Sequence, residues 1–158
     1  MDVPWLRFEV AEQGYAVPLG AVVEVMAAPS PHLIPRVALD VGGMVNVRGE
    51  PVPAVDGGAL LTGRPARRHR HMLVLERGSL RLGVLVGAVQ RIEGTLGLVE
   101  SAELPRSGEL VEWVTEDGRQ LGLVDPEGLI ERGVLLLTET ELRGRHGVGG
   151  QEPWQTGF

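Results

Sequence analysis

The sequence predicts a mainly β protein built from many short strands. Three observations support this fold class: apolar residues alternate with polar ones over short runs, glycine-rich turns separate the runs, and helical periodicity is scarce. The chain has 158 residues, of which 43% are hydrophobic. That is enough for one domain with a substantial core, or for two small subdomains in close contact. Many short strands at short spacing are typical of small barrels or a sandwich.

The strand patterns follow one another along almost the whole chain. The predicted strands form a hairpin at 5–19, turning at 12–14, and then occupy 22–26, 44–47, 52–55, 72–76, 80–86, 89–92, 110–115 and 119–124. Asp117-Gly118 is the strongest short turn signal and indicates a hairpin between the last two strands. We expect the strand at 89–92 to continue the sheet of the strand before it.

Two segments interrupt this pattern, and one favours a helix. Residues 27–35 contain three prolines, which predicts a loop, and residues 63–70 form a polar break between two halves. Asp125-Pro126-Glu127 combines a capping acid, a proline at the first helical position and an acid near the positive helix end. We expect this helix to end near Gly133, a common C-terminal residue of helices.

The last part of the chain is less regular. The first half of residues 134–142 fits either a strand or a helix, and from Arg143 the composition becomes glycine-rich and polar. The sequence therefore predicts a single domain at 1–142 and a flexible tail at 143–158.

Absent residue types exclude most catalytic chemistry. The chain has no cysteine, and all fifteen cations are arginine, so thiol catalysis, thiolate metal sites, a P-loop lysine and Schiff-base chemistry are excluded. Neither G-x-S-x-G nor H-E-x-x-H occurs. A net charge of -6 argues against a nucleic-acid binder. With no signal peptide pattern and no long apolar run, we expect a cytoplasmic protein without membrane insertion.

Few residues remain as candidates for chemistry. His69 and His71 would share one face of a strand as metal ligands do, but no third ligand is near in sequence, so we favour an exposed loop. Arginines stand around them at positions 64, 67, 68 and 70. A solvated loop is the favoured interpretation of these cations, and docking of an acidic partner surface is the alternative. The glycine pairs at 42–43 and 57–58 are expected in turns.

Glu24 differs because it interrupts an apolar, β-branched run. A partly buried carboxylate needs a partner, so a structural ion pair is favoured over a catalytic role. Taken by themselves, the residues thus indicate a binding or scaffold module without a catalytic constellation.

Two stretches of the chain resemble the CheW-like family of chemotaxis coupling proteins. The first begins at Phe8 and reads F-E-V-A-E-Q-G-Y-A-V-P-L-G-A-V-V-E-V, and the second begins at Gly43 and reads G-M-V-N-V-R-G-E-P-V-P-A-V-D. With the later strand at 83–89 and the closing strand and helix from Leu121, the resemblance covers roughly residues 5–132 in order. The spacing N-x-R-G-x-x-x-P-x-x-D is its specific part.

The resemblance implies two packed five-stranded SH3-like β-barrels with one or two short helices. It implies an adaptor that is not an enzyme and holds no cofactor or metal. The implied partners are the regulatory domain of a CheA-type histidine kinase and the cytoplasmic tip of methyl-accepting chemoreceptors. The protein would then be cytoplasmic and recruited to membrane-bound receptor arrays.

The resemblance also implies roles for individual residues. Glu24 and Arg48 match an ion pair, whose loss through Arg48→Ala would cost about 3–5 kcal/mol if the pair is buried. The residues that match the turn and strand positions of the family's motif, its motif frame, are Asn46, Gly49, Pro53 and Asp56. The receptor-groove candidates are Val22, Gly43 and Met44, although Val22 and Met44 also fit a plain core. The kinase-interface candidates are Val47 and Val52.

Three alternatives stay open at this point. A CheW-like scaffold could serve a non-flagellar chemosensory pathway, such as twitching motility or gene regulation. A small-molecule-binding β-barrel would need a roomy pocket with convergent polar groups. The tail residues Trp154 and Phe158 resemble a W-x-x-F tethering peptide with one extra residue, and a disordered end is the favoured interpretation.

Overall fold

The structure, a computed structural model, describes residues 4–29, 42–66, 68–92 and 110–146. Most of the described chain is extended. Its strands are β1 (Trp5–Val10), β2 (Gln13–Pro18), β3 (Val22–Ala27), β4 (Gly42–Val47), β5 (Glu50–Asp56), β6 (His71–Arg77), β7 (Leu80–Val86), β8 (Val89–Ile92), β9 (Val111–Glu116) and β10 (Arg119–Val124). The helices are α1 (Gly57–Leu61) and α2 (Pro126–His146), and a 3-10 turn covers Leu19–Ala21.

The strands form two five-stranded sheets. The first sheet has the order β8-β1-β2-β10-β9, and the second has the order β3-β6-β7-β5-β4. Five consecutive strands thus build the second sheet as an insertion between β2 and β8 of the first. Neighbouring strands are antiparallel except for β2 with β10 and β5 with β7. The predicted fold class, mainly β with two five-stranded units and few helices, is confirmed.

Apolar side chains form a separate cluster in each five-stranded unit and a larger cluster between the two sheets. The first sheet packs Trp5, Ala16, Leu121 and Leu123 together. The second packs Val45, Val47, Val52, Ala54, Met72, Val74 and Leu85, with Met26 of β3 against them. The largest cluster joins the two sheets with both helices and includes Phe8, Tyr15, Leu60, Leu75, Leu82 and Ile130. Because this shared cluster is buried, the two sheets form one packed body.

The structure corrects the predicted place of β8. Val89 pairs with Phe8 and Ile92 with Trp5, so β8 lies beside β1 in the first sheet and does not extend the sheet of β7. The chain crosses between the sheets at Gly87 and Ala88. There, the Glu9 amide donates to the Ala88 carbonyl at 2.9 Å, and the Gly87 amide donates to the Glu9 carbonyl at 2.7 Å.

Two other boundaries also differ from the prediction. The segment at 63–70 connects α1 to β6, so it lies within the second unit and does not divide the two units. The first hairpin turns at Ala11 and Glu12, both with positive φ, because Val10 pairs with Gln13. The pairing of Glu116 with Arg119 confirms the predicted turn at Asp117-Gly118.

The glycine pairs are not in turns. Gly42 and Gly43 lie in β4, where a Cβ on Gly42 would overlap the Ala54 carbonyl. Gly57 and Gly58 open α1, and a Cβ on Gly57 would lie 2.6 Å from the Leu85 carbonyl oxygen. Close backbone approach therefore explains Gly42, Gly57 and Gly58, and turn geometry does not.

The prediction that the last helix ends near Gly133 is wrong. Helix α2 continues to His146 and includes the ambiguous segment at 134–142. A Cβ on Gly133 would lie 2.5 Å from Leu82 Cδ2, so this glycine lets the helix approach β7 closely. Residues 143–146 of the predicted tail are helical, whereas 147–158, with Trp154 and Phe158, lie outside the described residues. Most of the predicted loop at 27–35 lies outside them as well.

Candidate functional site

The N-x-R-G motif forms the tight turn between β4 and β5. Val47 pairs with Glu50, which leaves Arg48 and Gly49 as a two-residue loop with φ of 52° and 87°. Two positive φ values are typical of the hairpin turn that matches the twist of antiparallel strands. The Gly49 amide donates to Asn46 Oδ1 at 2.7 Å. Asn46 and Gly49 therefore shape the turn that displays the Arg48 side chain.

Glu24 and Arg48 are in contact. Arg48 Nη2 lies 2.6 Å from Glu24 Oε1, and the side chains are 84% and 21% exposed, respectively. The pair joins β3 to the β4–β5 turn, which belong to opposite edges of the second sheet. Since the guanidinium stays in water, the condition of burial behind the estimate of about 3–5 kcal/mol is not met.

The three receptor-groove candidates differ in their surroundings. Met44 is exposed on β4, and Gly43 is buried. Val22 is partly buried against the large apolar cluster that joins the two sheets. The β3–β6 register shifts between Val22 and Glu24. Only Met44 of the three presents a large apolar side chain to solvent.

Sequence reasoning missed two exposed apolar residues that closely follow Val22 in the chain. Val23 and Val25 of β3 are exposed, while Glu24 and Met26 between and after them are partly buried. The alternation of the V-V-E-V-M run was a signal for this arrangement, with the acid facing inward. Val23 and Val25 lie on β3 and Met44 lies on β4, the two edge strands of the second sheet, and we call these three exposed side chains together the edge-strand patch.

The kinase-interface candidates Val47 and Val52 need correction. Both are buried within the second sheet, where they pack against Ala54 and Val74. Alternation along β4 and β5 directs both side chains inward, so they present almost no surface to a partner. Their exposed neighbours on this hairpin are Asn46, Arg48, Glu50 and Pro51.

The remaining motif residues lie further along β5. Pro53 is partly buried and stands opposite Met44 in the β4–β5 ladder. Asp56 is buried and caps α1, since its Oδ1 accepts from the Ala59 amide at 2.9 Å. The same oxygen accepts from the Ala66 amide at 2.8 Å, and Oδ2 lies 2.5 Å from His69 Nε2. Asp56 therefore anchors the loop that follows α1.

The exposed-loop interpretation is wrong for both histidines. His69 is partly buried against Asp56, and the Nδ1 of His71 lies 3.1 Å from the Gly87 carbonyl oxygen. Each imidazole thus has a partner within the fold. No group of three or more metal-binding side chains occurs in the part of the chain that the structure describes.

A second ion pair lies in the first sheet. Arg7 Nη2 of β1 is 2.8 Å from Glu116 Oε1 of β9, and the side chains are 32% and 13% exposed, respectively. The other carboxylate oxygen of Glu116 is buried and has no hydrogen-bond partner. This pair is more enclosed than the Glu24–Arg48 pair, so its loss leaves a more poorly solvated carboxylate.

Neither described helix has the length and apolar character that a membrane span requires.

The candidate site is a surface that consists of the exposed Arg48, its partner Glu24 and the edge-strand patch. An apolar surface with a displayed cation can bind a protein segment that carries apolar and acidic side chains.

Comparisons with known proteins agree with this fold. A family profile described as a CheW-like domain matches residues 4–134. The crystal structure of the scaffolding protein TtCheW from Thermoanaerobacter tengcongensis is similar, with 22% sequence identity and a TM-score of 0.61. The similarity covers 79% of this chain and 90% of that chain. A comparison with curated proteins finds no match. Because the profile spans most of the sequence, the resemblance is confirmed and the chain belongs to the CheW-like family of chemotaxis scaffold proteins.

Proposed function

We propose that this protein is a non-catalytic adaptor that couples methyl-accepting chemoreceptors to a CheA-type histidine kinase. It would act in the cytoplasm, at membrane-bound receptor arrays. Family membership supports the general role of a chemotaxis scaffold. The more specific coupling function is supported by the surface around the Glu24–Arg48 pair.

The observation that carries the proposal is the edge-strand patch. Large apolar side chains are exposed on both edge strands of the second sheet, and the contact of Glu24 with the mostly solvated Arg48 joins β3 to the β4–β5 turn. Exposed apolar patches on small domains commonly mark sites of protein interaction. A receptor tip presents the faces of a helical hairpin, and such faces bind through apolar anchors at helical spacing. Arg48 would pair with an acid beside those anchors.

For the kinase, we propose contacts with the exposed face of the β4–β5 hairpin. Val47 and Val52 hold this hairpin in place from the interior of the second sheet. A charge at either valine would strongly destabilise the protein, so reduced binding of such a variant would not report on an interface. Pro51 and Glu50 are exposed at the turn and can be changed without opening the core.

Calorimetric titration with the kinase regulatory domain tests the kinase half of the proposal. We expect one-to-one binding at micromolar or tighter affinity, and weaker binding for Pro51→Arg. Leu135→Arg, which adds the same charge on the exposed side of α2, is the matched control and should bind like the unchanged protein. Binding only to the kinase of a non-flagellar pathway would assign the adaptor to that pathway. No binding to any chemosensory kinase would overturn this half of the proposal.

Co-sedimentation with receptor cytoplasmic fragments tests the receptor half. We expect Met44→Glu and Val25→Glu to reduce receptor binding because each places a charge in the apolar patch. Leu135→Glu serves as the control here, since it adds the same negative charge on α2. Equal binding by the patch variants and the control would contradict the assignment of the receptor site.

A further inference from the structure

The loop after α1 carries exposed arginines that have no carboxylate partner. Arg64, Arg68 and Arg70 are exposed and make no ion pair within the described residues. Other described arginines do pair with glutamates; they are Arg7, Arg48, Arg77 and Arg81. We call residues 64–66 and 68–70 the arginine loop. In a chain of net charge -6, this concentration of unpaired cations stands out.

The arginine loop is held in place at several points along its backbone. Near its start, the Ala66 amide donates to the buried Asp56, which also contacts His69. Near its end, the Arg70 amide donates to the Val86 carbonyl at 2.9 Å, and the Arg70 carbonyl accepts from Ala28 at 3.0 Å. A fixed backbone lowers the entropy cost of presenting the arginine side chains to a ligand.

The loop forms one wall of a cleft of about 340 Å³. Arg68 and Arg70 stand on this wall, and the accessible apolar floor comes from the small side chains of Ala66 and Ala88, above the buried Val10, Leu85 and Val86. The opposite wall comes from the β1–β2 turn and carries Glu9 and Glu12. The cleft thus combines an apolar floor with a basic wall and an acidic wall, at the point where the chain crosses between sheets.

A second cleft, of about 400 Å³, differs from the first in how its arginine is paired. It lies along β5 and β7, and its single arginine, Arg81, already contacts two glutamates. The distances are 3.5 Å to Glu50 and 3.0 Å to Glu76. Charges in that cleft are satisfied within the fold, whereas the cations of the arginine loop are available to a ligand.

We infer that the arginine loop and its cleft bind an extended acidic peptide segment of a partner protein, one with apolar side chains between its acids. The acids would pair with Arg68 and Arg70, and the apolar side chains would cover the floor. The acidic wall disfavours nucleic acid, because Glu9 and Glu12 would repel a continuous phosphate backbone. A peptide avoids this repulsion by placing its acids on one side only.

Fluorescence anisotropy tests the inference on the full chain. The probe is a fluorescein-labelled peptide of alternating glutamate and leucine, and a lysine–leucine peptide of equal length is the control probe. We expect saturable binding of the acidic peptide that weakens as salt is added. The double variant Arg68→Glu, Arg70→Glu should lose at least about tenfold in affinity. Arg119→Glu reverses another exposed, unpaired arginine on β10 and should bind like the unchanged protein.

Three results would overturn the inference. They are absence of saturable binding, equal loss of affinity in the Arg119→Glu control, and equal or tighter binding of a single-stranded oligonucleotide in competition. A thermal melt of the double variant checks its fold; as a second variant, Arg68→Gln should give an intermediate loss without reversing a charge. The inference does not rest on the proposed adaptor function, since the kinase and receptor tests use other residues.

Discussion

Arg48 Nη2 lies 2.6 Å from Glu24 Oε1, yet 84% of the arginine side chain remains exposed. The contact links β3 to the β4–β5 turn and leaves the guanidinium group in solvent. A solvated pair of this kind contributes little to stability because water competes for both charges. The geometry therefore favours a role in displaying Arg48 beside the edge-strand patch.

Arg48→Ala should lower the free energy of unfolding by less than about 1 kcal/mol, because the pair is largely solvated. Arg7→Ala should cost more, about 1–3 kcal/mol, because Glu116 is more enclosed and its second oxygen has no partner. Urea denaturation of the two variants measures this difference. A larger loss for Arg48→Ala than for Arg7→Ala would contradict the assignment of a surface pair.

Val47→Glu should destabilise the protein by roughly 3 kcal/mol or more, because it places an unpaired carboxylate among buried apolar side chains. Met44→Glu, three residues away on the exposed face of β4, should change stability by less than about 0.5 kcal/mol. Thermal melts followed by circular dichroism distinguish the two. Similar melting temperatures for both variants would show that Val47 is not enclosed.

Gly133→Ala should destabilise the protein, although alanine is the better helix former by about 1 kcal/mol. The new Cβ would lie 2.5 Å from Leu82 Cδ2, and Leu82 is fully buried and cannot move aside freely. We expect a net loss of about 1 kcal/mol or more from overpacking. Gly128→Ala is the control, since its nearest contacts are at 3.2 Å and 3.4 Å. Equal stabilisation of both variants would mean that α2 does not pack closely on β7.

Alkaline pH should destabilise the protein through Tyr15. Burial raises the pKa of this phenol above its ordinary value of 10.0. Below that value the phenol is protonated in both the folded and the unfolded chain, so this group adds no pH dependence. Above it the unfolded chain releases the proton first, and stability falls as pH rises towards the higher folded pKa.

The chain offers a clean measurement of this effect. Tyr15 is its single tyrosine, and no lysine or cysteine titrates in the same range. Denaturant unfolding between pH about 9 and about 11 should show declining stability, and Tyr15→Phe should lack that decline. The same decline in the phenylalanine variant would assign it to another group.

Local sequence patterns predicted most strands because alternation and turn chemistry are properties of neighbouring residues. The hairpin at Asp117-Gly118 and the start of α2 at Asp125-Pro126 follow from such signals. The same signals do not identify which strand lies beside which. β8 follows β7 in the chain but pairs with β1, since the crossover at Gly87 and Ala88 carries it to the other sheet.

For the candidate site, too, local sequence predicted some features and tertiary structure determined others. The spacing N-x-R-G predicted the frame around Arg48, whereas the inward direction of Val47 and Val52 depends on how the second sheet encloses its own core. Sequence also left His69 without a partner, because Asp56 is thirteen positions away and reaches it only after α1 reverses the chain.

The sequence by itself determined the fold class, the family and the positions of most turns, because periodicity and turn residues act over a few neighbouring residues. Only the tertiary structure decided that Gly133 lies inside a helix against Leu82, and that the cations of the arginine loop lie beside a cleft without carboxylate partners. These features depend on contacts between segments far apart in the chain, and packing in three dimensions determines such contacts.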